Sequence, residues 1–290
     1  MMMKTFLRLS ALLMCLLLLA PLVGAADMVD MYSNVSVPKD AESVDFGDLS
    51  IVNMKRLTDN LKQLPNLKEV RMFGSRLTVP QLEALMTEFP GVQFHTNLAV
   101  VRGTRRTDAT AHSTMNTPDD KRNPTSAFRG LKHLKNLKYL DVGHNAIDDL
   151  SFLYGLPELR ILIIADNYVT DLTPIASLTH VQYLELFANR FTDLTPLSGL
   201  TELLDLNICY NEIRDVTPLL GLKQLQRLWL PDRYLTDEQK AELEAALPNT
   251  QIVYEWSRST SHGWRRHPRY TVIRKIYDTG EYIPFPEIEP

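Results

Sequence analysis

One spacing dominates this sequence: a leucine recurs every 22 residues from position 134 to position 222. The stretches between these leucines repeat an L-x-x-L-x-L-x-x-N-x-L pattern. It occurs at Leu137, Leu140, Val142, Asn145 and Ile147; at Leu159, Leu162, Ile164, Asn167 and Val169; at Val181, Leu184, Leu186, Asn189 and Phe191; and at Leu203, Leu206, Ile208, Asn211 and Ile213. Counted from the recurring leucine that precedes each copy, the intervals are 3, 3, 2, 3 and 2 residues, which do not fit the steady 3.6-residue period of one amphipathic helix.

Each 22-residue segment predicts a strand, a turn and a short convex element. The L-x-L centre predicts a strand whose apolar side chains face the core while the residues between them point outward. The asparagine falls where the chain leaves the strand, so its amide can satisfy backbone groups of the turn. The Thr-Pro pair that follows in three copies predicts a threonine-capped start of a short helix or 3-10 segment. One such unit cannot bury its apolar face alone, so the copies must stack.

This pattern, over roughly residues 131 to 235, resembles the 22-residue leucine-rich repeats of bacterial internalin-like surface proteins. The resemblance implies an α/β leucine-rich repeat solenoid with a curved parallel β-sheet on the concave face and short helices or 3-10 segments on the convex face. Longer α/β repeats are expected at both ends. Internalin-like proteins act in adhesion, so the resemblance also favours a binding role, without naming a target.

The predicted organisation has six parts. Residues 64–77 align without a gap with residues 222–235, and both copies continue into a predicted helix, so long repeats flank the short ones. The parts are a signal peptide at 1–26, a flexible mature N-terminus at 27–42, long strand–helix repeats at 43–102, a polar inserted loop at 103–126, leucine-rich repeats at 127–255, and a basic and aromatic C-terminal cap and tail at 256–290.

The N-terminus predicts a secreted or cell-surface protein. Lys4 and Arg8 precede an apolar run at 11–22 that is short for a membrane span, and small residues follow it. Cleavage is expected after Ala25 or Ala26, and an uncleaved anchor is the alternative. Losing these two basic residues and no acidic one changes the formal charge from −4 to −6, which argues against a nucleic-acid partner. The mature chain keeps only Cys209, so no internal disulfide can form.

Two polar stretches leave alternatives open. The inserted loop is expected to be either an ordered segment that crosses the concave edge or a solvated linker. The tail is expected to close the end of the solenoid, with a helix at 270–277 docked there. Its basic residues could instead bind anions such as phosphate-rich wall polymers or acidic glycans. The candidate anion-binding residues are Arg265, Arg266, Arg269, Arg274 and Lys275.

The sequence contains no catalytic or nucleotide-binding motif of a familiar kind. An aspartate recurs at 149, 171, 193, 215 and 237, which raises a calcium hypothesis. A single carboxylate per repeat instead favours a turn in which each aspartate accepts backbone N–H groups. Cys209 has no histidine in its own repeat, so a catalytic thiol is disfavoured. We therefore expect no enzyme, no cofactor and no metal.

The outward positions of the strands are unusually apolar. A merely solvated sheet face would carry mostly Lys, Glu, Thr and Ser, whereas aromatic and aliphatic residues ringed by charge are typical of binding surfaces. Internal cover by the loop or the tail is the alternative. The candidate partner-binding residues are Tyr139, Asp141, Ile161, Ile163, Tyr183, Glu185, Phe187, Asp205, Asn207, Arg227 and Trp229.

These patterns predict a secreted, non-enzymatic, monomeric protein that binds a protein or glycan through its concave face, with no transmembrane span in the mature chain. The alternative function is a cell-envelope protein held to anionic wall polymers by its basic tail. A hydrolase is the least favoured hypothesis.

Overall fold

The computed structural model describes residues 27–32, 34–101, 103–115, 122–256, 260 and 262–286. The predicted signal peptide at 1–26, with its cleavage sites, lies outside the described residues, as do residues 116–121 of the predicted loop. Among the helices that the structure describes, none has the length and apolar character needed to cross a bilayer.

The N-terminal part begins with a hairpin of β1 (Met28–Tyr32) and β2 (Val35–Pro38), which pair antiparallel. The expectation of a flexible stretch at 27–42 is therefore wrong. Val29 and Met31 alternate with exposed residues and are buried in the N-terminal core, and the Met31 carbonyl accepts a hydrogen bond from Asn60. Tertiary contact, rather than local hydrophobicity, orders this segment.

A four-stranded sheet of β3-β4-β5-β6 follows within the described residues. β3, β4 and β5 are parallel and β6 returns antiparallel to β5. The elements in chain order are β3 (Ser43–Asp45), α1 (Met54–Leu61), β4 (Glu69–Leu77), α2 (Val79–Glu88), β5 (Gln93–Val100) and β6 (Gly103–Arg106). The long strand–helix repeats thus form a sheet of their own beside the main solenoid.

The main sheet contains seven parallel strands among the described residues, in the spatial order of the chain. They are β7 (Ala111–Ser113), β8 (Tyr139–Asp141), β9 (Ile161–Ile163), β10 (Tyr183–Glu185), β11 (Asp205–Asn207), β12 (Arg227–Leu230) and β13 (Gln251–Tyr254). Between β12 and β13 lies α3 (Asp237–Ala246), and α4 (Pro268–Thr279) follows the sheet. Leu140, Leu162, Leu184 and Leu206 are fully buried neighbours on successive strands, which confirms the predicted leucine-rich repeat solenoid.

The segment predicted as a polar loop supplies two strands, β6 and β7. β7 is the first rung of the main sheet, with Ala111 opposite Tyr139 and His112 opposite Leu140. The solvated-linker alternative is thus wrong for the described part of this segment. The rung was hidden in the sequence because its inward position holds a histidine instead of a leucine. Burial lowers the pKa of this histidine to about 3.

The asparagines lock each turn to its neighbours, as predicted. Asn167 is representative: its Nδ2 donates to the carbonyls of Ile164 and Ala165 in its own turn, at 3.3 and 3.2 Å, and to Val142 in the preceding repeat at 3.1 Å. Its Oδ1 accepts from the N–H of Ile147 at 3.0 Å. A buried amide thereby satisfies backbone groups of two adjacent repeats.

The convex side consists of short 3-10 segments, at Thr125–His133, Ser151–Gly155, Thr173–Ser177, Thr195–Leu197 and Thr217–Leu219. Threonine does not cap them, contrary to expectation. Instead Asp171 accepts from the N–H and the hydroxyl of Thr173, at 2.8 and 2.6 Å, and these bonds lower the pKa of its carboxyl. The same backbone bond recurs at Asp149, Asp193 and Asp215, so the aspartates act within their own turns.

The predicted similarity between the long repeats at the two ends is visible at the starts of their helices. Thr78 and Gln81 form a capping box at α2, and Thr236 and Gln239 form the same box at α3. Each helix then leads into the next strand, β5 or β13.

Candidate functional site on the concave face

The concave face of the main sheet gathers every predicted partner-binding residue. The strands place them in adjacent columns: Tyr139, Ile161, Tyr183, Asp205 and Arg227 form one, and Asp141, Ile163, Glu185, Asn207 and Trp229 another, with Phe187 beyond β10. All of them are buried, and none is more than 8% exposed. The expectation that this face is open is therefore wrong.

The face is covered by residues 262–286 of the same chain, which we call the C-terminal cover. It comprises a 3-10 turn at Trp264–Arg266, then α4, then an extended stretch. Trp264, Ile273 and Ile276 are buried in one apolar cluster with the concave side chains. The predicted helix is thus present, but it lies across the sheet and not on the solenoid end.

Aromatic contacts seat the start of the C-terminal cover. The Trp264 ring lies 5.4 Å from the Tyr183 ring and 5.1 Å from the Trp229 ring, measured between centroids. Farther along, Phe285 approaches Tyr183 at 6.2 Å, and the N–H of Tyr282 donates to the Thr110 hydroxyl at 3.1 Å. Such tilted pairs contribute beyond the area they bury.

A buried ionic triad joins the C-terminal cover to the sheet. Asp205 Oδ1 accepts from Arg227 Nε and from Arg269 Nη1, both at 2.7 Å. The three side chains are 0%, 4% and 2% exposed. Arg269 also donates to Gln226, and Arg227 donates to the carbonyl of Trp264 at 3.1 Å. One carboxylate therefore balances two guanidinium groups, one from the sheet and one from the cover.

Glu185 makes a second polar junction. Its Oε2 accepts from the Tyr183 hydroxyl at 2.7 Å and from Trp264 Nε1 at 3.1 Å. Arg265 lies 3.9 Å from its other oxygen. Burial and this neighbouring carboxylate raise the pKa of Tyr183 well above its ordinary value, so the phenol stays a hydrogen-bond donor.

Asp141 is the concave acid without an arginine partner among the described residues. It borders a small cavity of about 30 Å³ between the sheet and α4, with Glu185, Tyr270 and Ile273 also in the lining. Its oxygens accept from the Gly143 N–H at 3.1 Å and from the Tyr139 hydroxyl at 3.4 Å. Burial, and secondarily the charge of Glu185, raise the pKa of Asp141 to about 6.

The predicted anion-binding set is divided by the fold. Arg269 points into the triad, whereas Arg266 and Lys275 are exposed on the C-terminal cover, and Arg265 and Arg274 are exposed but border the cavity beside Asp141. Sequence reasoning missed Trp264 and Gln226 as partners of the concave face. The signal that could have indicated Trp264 is compositional: buried acids on the sheet need cations or donors, and the stretch 258–275 that contains this tryptophan is free of acids. No such signal indicated Gln226.

The described residues contain no group of three or more His, Cys, Asp or Glu side chains that could hold a metal ion. Cys209 is buried on the strand exit, and burial raises the pKa of its thiol to about 12. A thiol held protonated is a poor nucleophile. That the chain is not an enzyme stays a prediction.

Stacked parallel rungs, a turn asparagine in each repeat and convex 3-10 segments define a leucine-rich repeat protein, and this assignment rests on the geometry of the chain itself. Solved structures similar to it include internalin C2 of Listeria monocytogenes, with 22% identity over 76% of this chain and 85% of that one, at a TM-score of 0.43. A second internalin of that species shares 18% identity over 77% and 84%, at 0.41.

A leucine-rich repeat protein of Leptospira interrogans is also similar, with 21% identity over 73% of this chain and 54% of that one, at a TM-score of 0.44. The chain thus spans about half of that protein. No family model matches the sequence, and no curated protein matches it.

Proposed function

We propose that this chain is a secreted, non-enzymatic binding protein whose concave face takes up a protein segment carrying a tryptophan and an arginine. The observation that supports the proposal is the match between the face and its own C-terminal cover. Asp205 accepts a hydrogen bond from Arg269, and Glu185 accepts one from Trp264. The members of these pairs are 64 and 79 residues apart in the chain. A sheet that binds one such segment in cis has the chemistry to bind another in trans.

The C-terminal cover sets the affinity that a partner must have. A tethered segment competes at an effective concentration that reaches the millimolar range for short linkers. If the cover segment itself binds the bare face with a Kd of about 1 μM, a partner segment would bind the covered protein about a thousandfold more weakly than it binds the bare face. The function we propose is therefore gated binding, in which a partner displaces the cover.

A peptide-exchange experiment tests this function. A fluorescent peptide of residues 262–286 is titrated into the full chain and into a full-length double variant, Trp264→Ala with Arg269→Ala. This double variant weakens the binding of the C-terminal cover to the concave face. We expect the double variant to bind the peptide at least about tenfold more tightly than the natural chain, because the competing segment has lost its anchors. Fluorescence anisotropy reports the Kd.

The matched control is Arg266→Ala with Lys275→Ala, two exposed positions of the C-terminal cover, which should leave peptide binding as weak as in the natural chain. A second preparation guards against misfolding: residues 257–259 are replaced by a protease site, the chain is cut, and exchange of the severed cover for labelled peptide is followed. If neither folded preparation takes up the peptide, the concave face is not a peptide site.

A second candidate function rests on the exposed cations of the C-terminal cover, Arg265, Arg266, Arg274 and Lys275, which favour attachment to anionic wall polymers. The triple variant Arg266→Ala, Arg274→Ala and Lys275→Ala should lose retention on polyphosphate beads several-fold at low salt while its melting temperature stays unchanged. Equal retention of the variant and the natural chain would rule out this attachment.

A further inference from the structure

The turns that follow the concave strands carry a second surface, outside the concave site and its C-terminal cover. In four repeats the residue before the turn asparagine adopts a left-handed backbone, with φ between 54° and 60° at His144, Asp166, Ala188 and Tyr210. This conformation is uncommon for residues other than glycine, and its recurrence gives successive turns the same shape. Side chains at equivalent positions therefore form a row along the edge of the solenoid.

Aromatic rings from the segments that follow β11, β12 and β13 meet along this row. The Tyr210 and Trp256 rings are stacked, with centroids 5.6 Å apart and an interplanar angle of 18°. Tyr234 stands edge-on to Trp256 at 5.7 Å. Tyr210 is 45% exposed, so this aromatic group faces solvent instead of the core.

Three arginines from successive repeats each lie over an aromatic ring. The Arg214 guanidinium is 4.4 Å from the Tyr234 ring centroid, and that of Arg233 is 5.3 Å from the Trp256 ring. Arg190 lies over the Tyr168 ring at 4.3 Å. We call Arg190, Tyr210, Arg214, Arg233, Tyr234 and Trp256 the turn edge.

All three arginines are exposed. Within the described residues, their guanidinium groups form no ion pair and no hydrogen bond. Glu212 and Asp232 stand in the same turns and form no ion pair with them. Arg122 offers a contrast on the same side of the solenoid, since it is neutralised by Asp166 at 2.7 Å. The turn edge thus presents fixed cations that the described chain does not neutralise.

We propose that the turn edge is a binding surface for an acidic protein segment rich in aspartate or glutamate. A guanidinium that lies over a ring can keep N–H groups free to bind a carboxylate in bidentate fashion, and the ring contact reduces the entropy lost on binding. The three arginines follow three successive strands, and adjacent parallel strands are about 4.8 Å apart, a spacing that an extended acidic chain running across the rungs can match. Tyrosine, tryptophan and arginine are also the residues that dominate protein interfaces.

The proposal is tested on the full chain with a fluorescein-labelled hexaglutamate peptide at about 50 mM salt, where screening is weak. The triple variant Arg190→Ala, Arg214→Ala and Arg233→Ala should raise the Kd at least about tenfold, because three charge-assisted contacts are lost. The matched control Arg76→Ala, Arg129→Ala and Lys135→Ala removes the same charge from exposed positions elsewhere and should change the Kd less than about twofold.

Replacing the three arginines by lysine separates stacked guanidinium groups from charge alone. We expect this variant to lose most of the affinity, because an ammonium group neither lies flat on a ring nor binds a carboxylate in bidentate fashion. Full affinity in the lysine variant would overturn the proposal, as would equal binding of hexaglutamine by the natural chain. Binding of oligothymidylate or polygalacturonate in place of the peptide would also overturn it and would assign the surface to a nucleic acid or an acidic glycan.

Discussion

Replacing Asp205 by asparagine is expected to lower the free energy of unfolding by about 3–5 kcal/mol, the cost of leaving buried charges without their partner. The variant keeps the shape of the side chain but removes the carboxylate that both Arg227 and Arg269 share at 2.7 Å. Two cations would then remain in a site that is almost closed to water. Urea denaturation followed by circular dichroism measures the loss, provided that the m-value is unchanged.

Asp193→Asn is the matched control, because Asp193 is an exposed acid whose bond stays within its own turn. It should cost less than about 1 kcal/mol. A further variant that replaces the whole triad, Asp205→Leu with Arg227→Met and Arg269→Met, should be less destabilised than Asp205→Asn, since it strands no charge. A loss below about 1 kcal/mol for Asp205→Asn would contradict the ionic triad.

Replacing Asp141 by asparagine is expected to have the opposite sign and to stabilise the protein at neutral pH. Burial raises the pKa of Asp141 from 3.8 to about 6, so ionising this carboxyl costs folding free energy. At about 1.4 kcal/mol for each pKa unit, the variant should gain up to about 3 kcal/mol at pH 7.5. The asparagine amide oxygen can still accept the Gly143 N–H that Asp141 Oδ1 accepts now.

The pH dependence of this gain follows from the direction of the shift. Below pH 3.8 the carboxyl is neutral in both the folded and the unfolded chain, so Asp141 costs nothing there. The cost develops as the pH rises toward about 6 and is complete above it. Urea titrations of both proteins at pH 4 and pH 7.5 should show a gain that almost vanishes at the lower pH. An equal gain at both values would mean that Asp141 titrates normally.

The repeats illustrate how much of this fold could be predicted from local pattern. Leu140, Leu162, Leu184 and Leu206 had to face one side, because a strand alternates its side chains and the copies are in register. The asparagine turns and the aspartate bonds followed from the same reasoning. Where the pattern lapsed, prediction failed: β1, β2 and β7 are ordered by contacts with distant residues and carry no leucine signature.

The candidate site divides in the same way. Its side chains, from Tyr139 to Trp229, could be named from the sequence, because the outward direction on each strand is a local property. The sequence could not show whether these side chains contact solvent, a partner or another part of the same chain. Arg269 reaches Asp205 only because α4 folds back over the sheet. No residue spacing in the sequence predicts this docking.

The 22-residue period by itself determined the stacking of the repeats, their register and the side of each strand that carries the aromatic and acidic residues. Only the tertiary structure decided that the C-terminal cover occupies the concave face. It also decided that, among the described residues, Asp141 is buried without a cation and three arginines of the turn edge have no ion pair. The physical reason is the separation along the chain over which the deciding interactions act. Periodic burial is a near-neighbour property that one repeat transmits to the next, whereas docking depends on complementary shape and charge between segments far apart in the chain.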